Sequence, residues 1–283
     1  MDWKELYPFA PHFANTPDGF RMHYVEEGNG EPMVMVHGNP TWSFFFRKVI
    51  QNAPAHGYRA IAPDMIGCGL SDKPQDWPYH LEGHIRNLEH LIDNVLKLEH
   101  VTLLLHDWGG GIGMGYAVRH PEKIKRIFLM NTAAYLSDDM PRRIALARIP
   151  GVGSLLVRGL NAFVELAICM APAKPLPPEV QAGYRYPYGN WHDRIATLRF
   201  VQDIPMSPSH PTWETLKGIG EKLPLFENTP VTLIWGEQDF CFHMRFYERW
   251  RKIYPRAKAY SIPTASHYLL EDEPEQVLSH IWE

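Results

Sequence analysis

Residues 101–113, Val-Thr-Leu-Leu-Leu-His-Asp-Trp-Gly-Gly-Gly-Ile-Gly, constrain this chain more than any other stretch. An apolar strand runs into a single acid, Asp107, and then into a helix rich in glycine. Gly109 and Gly110 let that helix pack close to the strand, which is the shape of a strand-turn-helix nucleophile elbow. The nucleophile would be a carboxylate. Aspartate, with an ordinary pKa of about 3.9, is already ionised at neutral pH and needs shielding from water and an electrophile rather than a base. Attack on carbon through an ester intermediate is the chemistry this predicts. An Asp ahead of Trp-Gly-Gly also fits a plain helix N-cap, and the rest of the chain has to decide between the two.

Strand and helix patterns alternate on both sides of the elbow. Apolar or alternating runs at Phe20–Val25, Pro32–His37, Tyr58–Asp64, Val101–Asp107 and Ile124–Met130 predict strands, with helices over Trp42–Ile50, Glu82–Leu96 and from the elbow to His120. This rhythm predicts an α/β fold with a mostly parallel, doubly wound sheet. It stops after Met130. Residues 134–211 carry no strand pattern, only short helical pieces and a Pro/Tyr-rich stretch, and read as an inserted helical cap. The core, 1–133 and 212–283, resumes with a strand at Val231–Asp239, a helix at His243–Ile253, a strand at Ala257–Ile262 and a closing helix. At 283 residues and 45% apolar composition, one large core with an insertion is affordable.

Asp107, Asp239 and His267 each follow a predicted strand at its carboxyl end, the edge where open parallel sheets place their sites. The chain order is nucleophile, acid, histidine. His267 is the candidate base, with Asp239 holding its tautomer and stabilising its charged form. Only its place after the last strand separates His267 from the other histidines among the fifteen. His37-Gly38-Asn39-Pro40 follows an early strand and is expected beside the elbow. There the Asn39 backbone N–H and amide and the Trp108 indole would be neutral donors for a leaving group or developing carboxylate.

These pieces resemble the Asp-nucleophile branch of the α/β-hydrolase superfamily, and the haloalkane dehalogenase group in particular, over nearly the whole chain. The resemblance rests on His37–Ser43, Pro63-Asp64 through Ser71–Pro74, His106–Gly110, Asp239 and His267. One dehalogenase branch carries its acid as Glu just after the strand ending here at Met130; this chain has Asn131 there, which leaves Asp239 as the acid. A closer resemblance, carried by Asn131–Tyr135, Tyr186–Trp191, Arg194-Ile195, Arg199–Pro205 and Asp239–Phe242, is to the β-lactone decarboxylases of bacterial long-chain olefin biosynthesis. It implies a cis-3,4-dialkyl β-lactone as substrate, a cis-olefin and CO2 as products, no cofactor, and a complex with the olefin-pathway enzymes that make the lactone. Asp107 would attack the ring carbon bearing oxygen, Asn39 and Trp108 would stabilise the released carboxylate, and loss of CO2 would expel Asp107. In a dehalogenase, water activated by His267 would hydrolyse the same ester. Epoxide hydrolysis is a third reading, with Tyr184, Tyr186 or Tyr188 of the cap protonating the opening oxygen. A receptor that kept the fold and lost turnover is the alternative outside catalysis.

The remaining expectations are narrower. The net charge of −4 leaves no basic field for nucleic acid. No run approaches the roughly 18 apolar residues of a membrane span. Scattered Cys68, Cys169 and Cys241, and an N-terminus without an export signal, predict a cytoplasmic protein and no metal site. Phe163, Val164, Leu166, Ala167 and Ile168 are candidates to line a pocket for alkyl chains, or else ordinary cap core. Asp64, Gly67, Gly69 and Asp72 read as a tight turn rather than a cation loop. Arg185, Arg194 and Arg199 read as solvated. Glu271, Asp272 and Glu273 are expected to favour the start of the last helix through its dipole.

Overall fold

The computed structural model describes residues 2–283, apart from the side chains of residues 142 and 143. Eight strands form one sheet: β1 Pro11–Asn15, β2 Arg21–Glu27, β3 Glu31–Val36, β4 Tyr58–Pro63, β5 Val101–Asp107, β6 Ile124–Thr132, β7 Val231–Gly236 and β8 Lys258–Ile262. Their order is β1-β2-β4-β3-β5-β6-β7-β8. β2 pairs antiparallel with both β1 and β4, and every other pairing is parallel.

Alternation along the strands sends side chains to opposite faces, and the sheet is covered on both. Val34, Val36, Leu103, Leu105, Ile127, Leu129 and Leu233 pack with the helices α2 Leu81–His90, α3 Trp108–Ala117 and α9 Met244–Ile253. Their neighbours Met33, Met35, Leu104, Phe128, Met130 and Ile234 pack instead with Phe44–Phe46, with α1 Arg47–Asn52 and with α11 Pro274–Trp282. Strands buried on both faces read as continuous apolar runs, which is why β3, β5 and β7 are plain in the sequence. The antiparallel edge strand β1 is mostly exposed and offers no such run.

Between β6 and α8, Trp213–Lys222, the described residues contain no strand. The chain there forms the helical cap, with α4 Arg142–Ala147, a π-helical turn Ser154–Gly159, α5 Ala162–Met170, α6 Pro178–Arg185 and α7 Ile195–Gln202. Ala147, Val157, Leu198 and Val201 give the cap a small core of its own. The predicted helix at Trp42–Ile50 is a 3-10 turn, Ser43–Phe46, running into α1, and the predicted helix ending at Leu96 leaves α-geometry at Leu91 for a π-helical segment.

The carboxylate of Asp64, wholly buried, accepts hydrogen bonds from His23 Nδ1 (2.8 Å), Ser43 N (2.8 Å) and Leu70 N (2.9 Å), and with Gly67 and Gly69 at positive φ it organises a tight turn. No helix among the described residues is long and apolar enough to cross a membrane.

Of the three acids expected to favour the last helix, Glu271 and Asp272 are engaged elsewhere. The side chain of Glu271 is buried and takes both guanidinium nitrogens of Arg47 (2.5 and 2.7 Å) and the hydroxyl of Tyr184 (2.5 Å). Asp272 ends the short helix α10, Leu269–Asp272, and accepts from the backbone of Ser266, Ala173 and Lys174. Glu273 bonds Lys174 (2.7 Å). A buried carboxylate satisfied by specific donors outweighs the diffuse attraction of a helix dipole, and only Glu273 stands at the α11 N-cap.

Candidate active site

β5 and α3 meet at Asp107, whose φ of 54° and ψ of −125° are strained for any residue with a Cβ. The turn is held by its surroundings: the Thr132 hydroxyl donates to the Asp107 carbonyl, and Gly109 sits where a Cβ would overlap the Val36 carbonyl. Asp107 makes no side-chain N-cap bond, so the capping explanation for this acid fails. Its Oδ1 instead accepts the backbone N–H of Asn39 (2.7 Å), across the Asn39–Pro40 cis peptide turn that follows β3.

With Oδ1 so held, Oδ2 faces Nε2 of His267 at 3.6 Å. Nδ1 of His267 lies 2.7 Å from Asp239 Oδ2. The three side chains named from the sequence are therefore brought together at the carboxyl ends of β5, β7 and β8. Asn131, with φ 34° at the end of β6, donates to Asp239 Oδ2 (2.9 Å) and is paired both ways with the Gly236 backbone.

Burial raises the Asp107 carboxyl above the ordinary carboxylate range, opposed by the His267 imidazole and the N–H groups of Asn39 and Trp108. For His267, burial works against the charged form, but Asp239 and then Asp107 outweigh it and hold the ring above its usual value. The two aspartates thus favour the charged form of the ring.

Asn39 and Trp108 both line the cavity over Asp107. The Asn39 amide gives one N–H to the Thr197 carbonyl (3.1 Å), which leaves its second N–H unengaged, and its Oδ1 is buried without a partner. The Trp108 indole packs on Phe200, and its N–H bonds to no other described residue. His37 shapes this corner, bonding the Gly38 carbonyl through Nδ1 (2.7 Å) and accepting from Met65 N through Nε2 (2.9 Å). Gly38 is the tightest point. A Cβ there would overlap Asp107 Oδ1, so Gly38→Ala is expected to lower turnover about 100-fold or more with the fold retained, checked by initial rates beside circular dichroism.

The cavity encloses about 1400 Å³ including its open mouth. Core and cap both contribute to its walls: Leu216, Phe242 and Phe246 from one side, Ile144, Val201 and Ile204 from the other. Helix α5 is split by its own periodicity. Phe163, Leu166, Ala167 and Met170, spaced i, i+3, i+4, i+7, face the cavity, whereas Val164 and Ile168 are buried in the core and do not line it. The three cap tyrosines named from the sequence do not line it: Tyr184 is bound to Glu271, Tyr188 is wholly buried, and Tyr186 packs on Trp3. Arg185 pairs with Glu165, Arg194 bonds four backbone carbonyls, and Arg199 bonds Gln202.

Another acid–histidine group, Glu89, Asp93 and His120, is closed by Lys123 (2.6 Å from Asp93) and Arg119 (3.3 Å from Glu89), and none of its members lines the cavity. Sequence reasoning gave no site role to Thr132, His106 and Asp272. Their partners lie up to 161 residues away, and no spacing announces them.

The profile of the alpha/beta hydrolase fold matches residues 31–274. The cis-3-alkyl-4-alkyloxetan-2-one decarboxylase of Shewanella oneidensis is 44% identical over 98% of this chain and 88% of that protein. The decarboxylase of the same name from Xanthomonas campestris is 37% identical over 97% of this chain and 95% of its own. Among solved structures, haloalkane dehalogenase DbeA from Bradyrhizobium elkani superposes with a TM-score of 0.88 at 26% identity, covering 97% of this chain and 96% of the other. The chain belongs to the α/β-hydrolase fold family, as an enzyme of the branch that is close to both the β-lactone decarboxylases and the haloalkane dehalogenases.

Proposed function

We propose that this enzyme is a β-lactone decarboxylase, converting a cis-3,4-dialkyl β-lactone into a cis-olefin and CO2, with Asp107 as nucleophile. The observation that carries this reading is the apolar cavity over Asp107, whose Oδ2 faces Nε2 of His267 at 3.6 Å. Asp107 Oδ2 attacks the ring carbon bearing oxygen with inversion. That carbon–oxygen bond breaks, and the ring oxygen leaves as part of a new substrate carboxylate that the Asn39 amide and Trp108 indole receive. The carboxylate then sits among apolar walls, where desolvation disfavours its charge and promotes its loss as CO2. The electrons of the broken carbon–carbon bond form the alkene and expel Asp107 as a carboxylate. Inversion followed by anti elimination keeps the cis relationship. His267, charged and 3.6 Å from Asp107 Oδ2, stabilises the carboxylate as it re-forms, and Asp239 holds that ring in place. No water is consumed.

The second reading is haloalkane dehalogenation, favoured by the shared three-residue geometry and the likeness to DbeA. It needs neutral His267 to activate water, against the upward shift of that ring. Epoxide hydrolysis loses the proton donors offered for it, since none of Tyr184, Tyr186 and Tyr188 reaches the cavity.

Purified protein given a cis-dialkyl β-lactone and, separately, bromoalkanes is expected to release olefin over many turnovers and little halide. Sustained halide release without olefin would make it a dehalogenase. The pH profile follows from the same charges. Hydrolysis through His267 would fall as pH drops through its raised pKa, whereas olefin release persists until Asp107 itself is protonated. Because olefin release uses the charged ring, its rate is expected to hold or rise, not fall, as pH is lowered through the raised His267 pKa, and a rate that falls in step with protonation of His267 would count against the scheme.

We further place the core at 1–133 and 212–283 and the cap at 134–211. A cytoplasmic location fits three free thiols, and a complex with enzymes that make the lactone is carried by the resemblance alone.

A further inference from the structure

We propose that His106 and Asp272 are positioning residues that clamp the backbone on both sides of His267, and that through Asp272 the placement of His267 depends on how cap residues 171–174 are seated. The proposal rests on the role given to His267 above. His106 precedes the nucleophile on β5, is buried and stacks on Phe45 with ring centroids 4.3 Å apart. Its Nε2 lies 2.9 Å from the His267 carbonyl. A carbonyl only accepts, so Nε2 carries the hydrogen and Nδ1 is a bare acceptor. That Nδ1 is buried without a partner, which costs stability. A phenylalanine would stack on Phe45 without that cost. What histidine adds at this position is the bond to His267.

The other side of the clamp is Asp272. Its Oδ2 accepts the N–H of Ser266 (2.8 Å), immediately before His267, while its Oδ1 accepts from Ala173 N (2.8 Å) and Lys174 N (3.2 Å). Tyr268 N donates in turn to the Ala171 carbonyl (3.1 Å). The backbone is thus tied at Ser266, His267 and Tyr268, twice to the cap and once to the nucleophile's own strand. Ala171 and Tyr268 also line the cavity, so a shift of this cap segment is passed to the imidazole, whose Nδ1 and Nε2 must meet Asp239 and Asp107 at once. Functional groups hold their geometry only when their supports are fixed to about 0.5 Å.

The test uses full-length His106→Phe, His106→Gln and Asp272→Asn. The Nδ1 proton of His267, bonded to Asp239, is observed by proton NMR as a far-downfield resonance in the enzyme without substrate, and kcat and KM are measured for olefin release from a cis-dialkyl β-lactone. His106→Phe and Asp272→Asn are expected to lose or broaden the resonance and to lower kcat about tenfold or more with KM within about twofold. His106→Gln, which keeps an N–H donor at similar reach, is expected to restore both. Should Asp272→Asn fail to fold, Ala173→Pro removes one donor to Asp272 from the cap side and takes its place. Folded variants with the wild-type resonance and kcat would overturn the clamp. Because the resonance needs no substrate, its loss in a protein that makes no olefin would keep the clamp and sink the decarboxylase reading.

Discussion

Asp107→Asn is expected to abolish olefin formation, lowering turnover by about 10⁴-fold or more, while leaving the protein at least as stable as the parent. The first half follows from the mechanism: an amide cannot open the lactone, so neither the ester nor CO2 forms. The second half follows from electrostatics. Burial raises the Asp107 pKa in the folded state, so between the unfolded and folded pKa values the folded protein holds more protons. Stability therefore falls as pH rises through that window, and at neutral pH the ionised carboxylate is a net cost that Asn removes. Asn also keeps an oxygen to accept the Asn39 N–H. Gas chromatography of the products and a thermal melt of the same sample check both halves; wild-type turnover in Asp107→Asn would end the nucleophile assignment.

Glu271→Ala is expected to cost about 3–5 kcal/mol, because it leaves the Arg47 guanidinium charged and unpaired in the interior. The side chains of Arg47 and Glu271 are only 5% and 3% exposed, and the guanidinium lies over the Phe44 ring at 4.2 Å. The same substitution releases the Tyr184 hydroxyl, which fastens the cap helix α6 to the core. Urea unfolding should show a lowered midpoint, and replacing both members of the pair by apolar residues of similar volume should recover most of the loss. Burial alone would raise the Glu271 pKa, but Arg47 outweighs it and holds the carboxyl below its ordinary value. The stabilisation is complete above the unfolded carboxylate pKa and is lost as pH falls through the lower, folded one.

The sheet and the meeting of the candidate residues were legible in large part for one physical reason. β5 and β7, buried on both faces, are apolar runs, so a polar residue at or just past their ends, Asp107 and Asp239, is conspicuous; β8 is only partly buried, and His267 was marked by its place after the last strand. β1 lacked the signal because an exposed edge strand buries only Ala14 among Pro11–Asn15. In the cap, the 3.6-residue period of α5 separated Phe163, Leu166, Ala167 and Met170 from Val164 and Ile168, but no local rule states which stripe meets the core. The C-terminal acids were misread because Arg47 and Tyr184, far away in sequence, are what fix Glu271. His106 and Thr132 were invisible in the same way, since each serves a backbone carbonyl that only the fold delivers.

The two reactions part at the fate of the Asp107 ester: decarboxylation expels the carboxylate intact, whereas hydrolysis places an oxygen from water on it. The decisive measurement is mass spectrometry of the Asp107 peptide after many turnovers of a cis-dialkyl β-lactone in ¹⁸O-labelled water. Olefin accumulating with no ¹⁸O in Asp107 is the predicted result. Incorporation of ¹⁸O in step with turnover would show that water resolves the ester, and would contradict the decarboxylase reading.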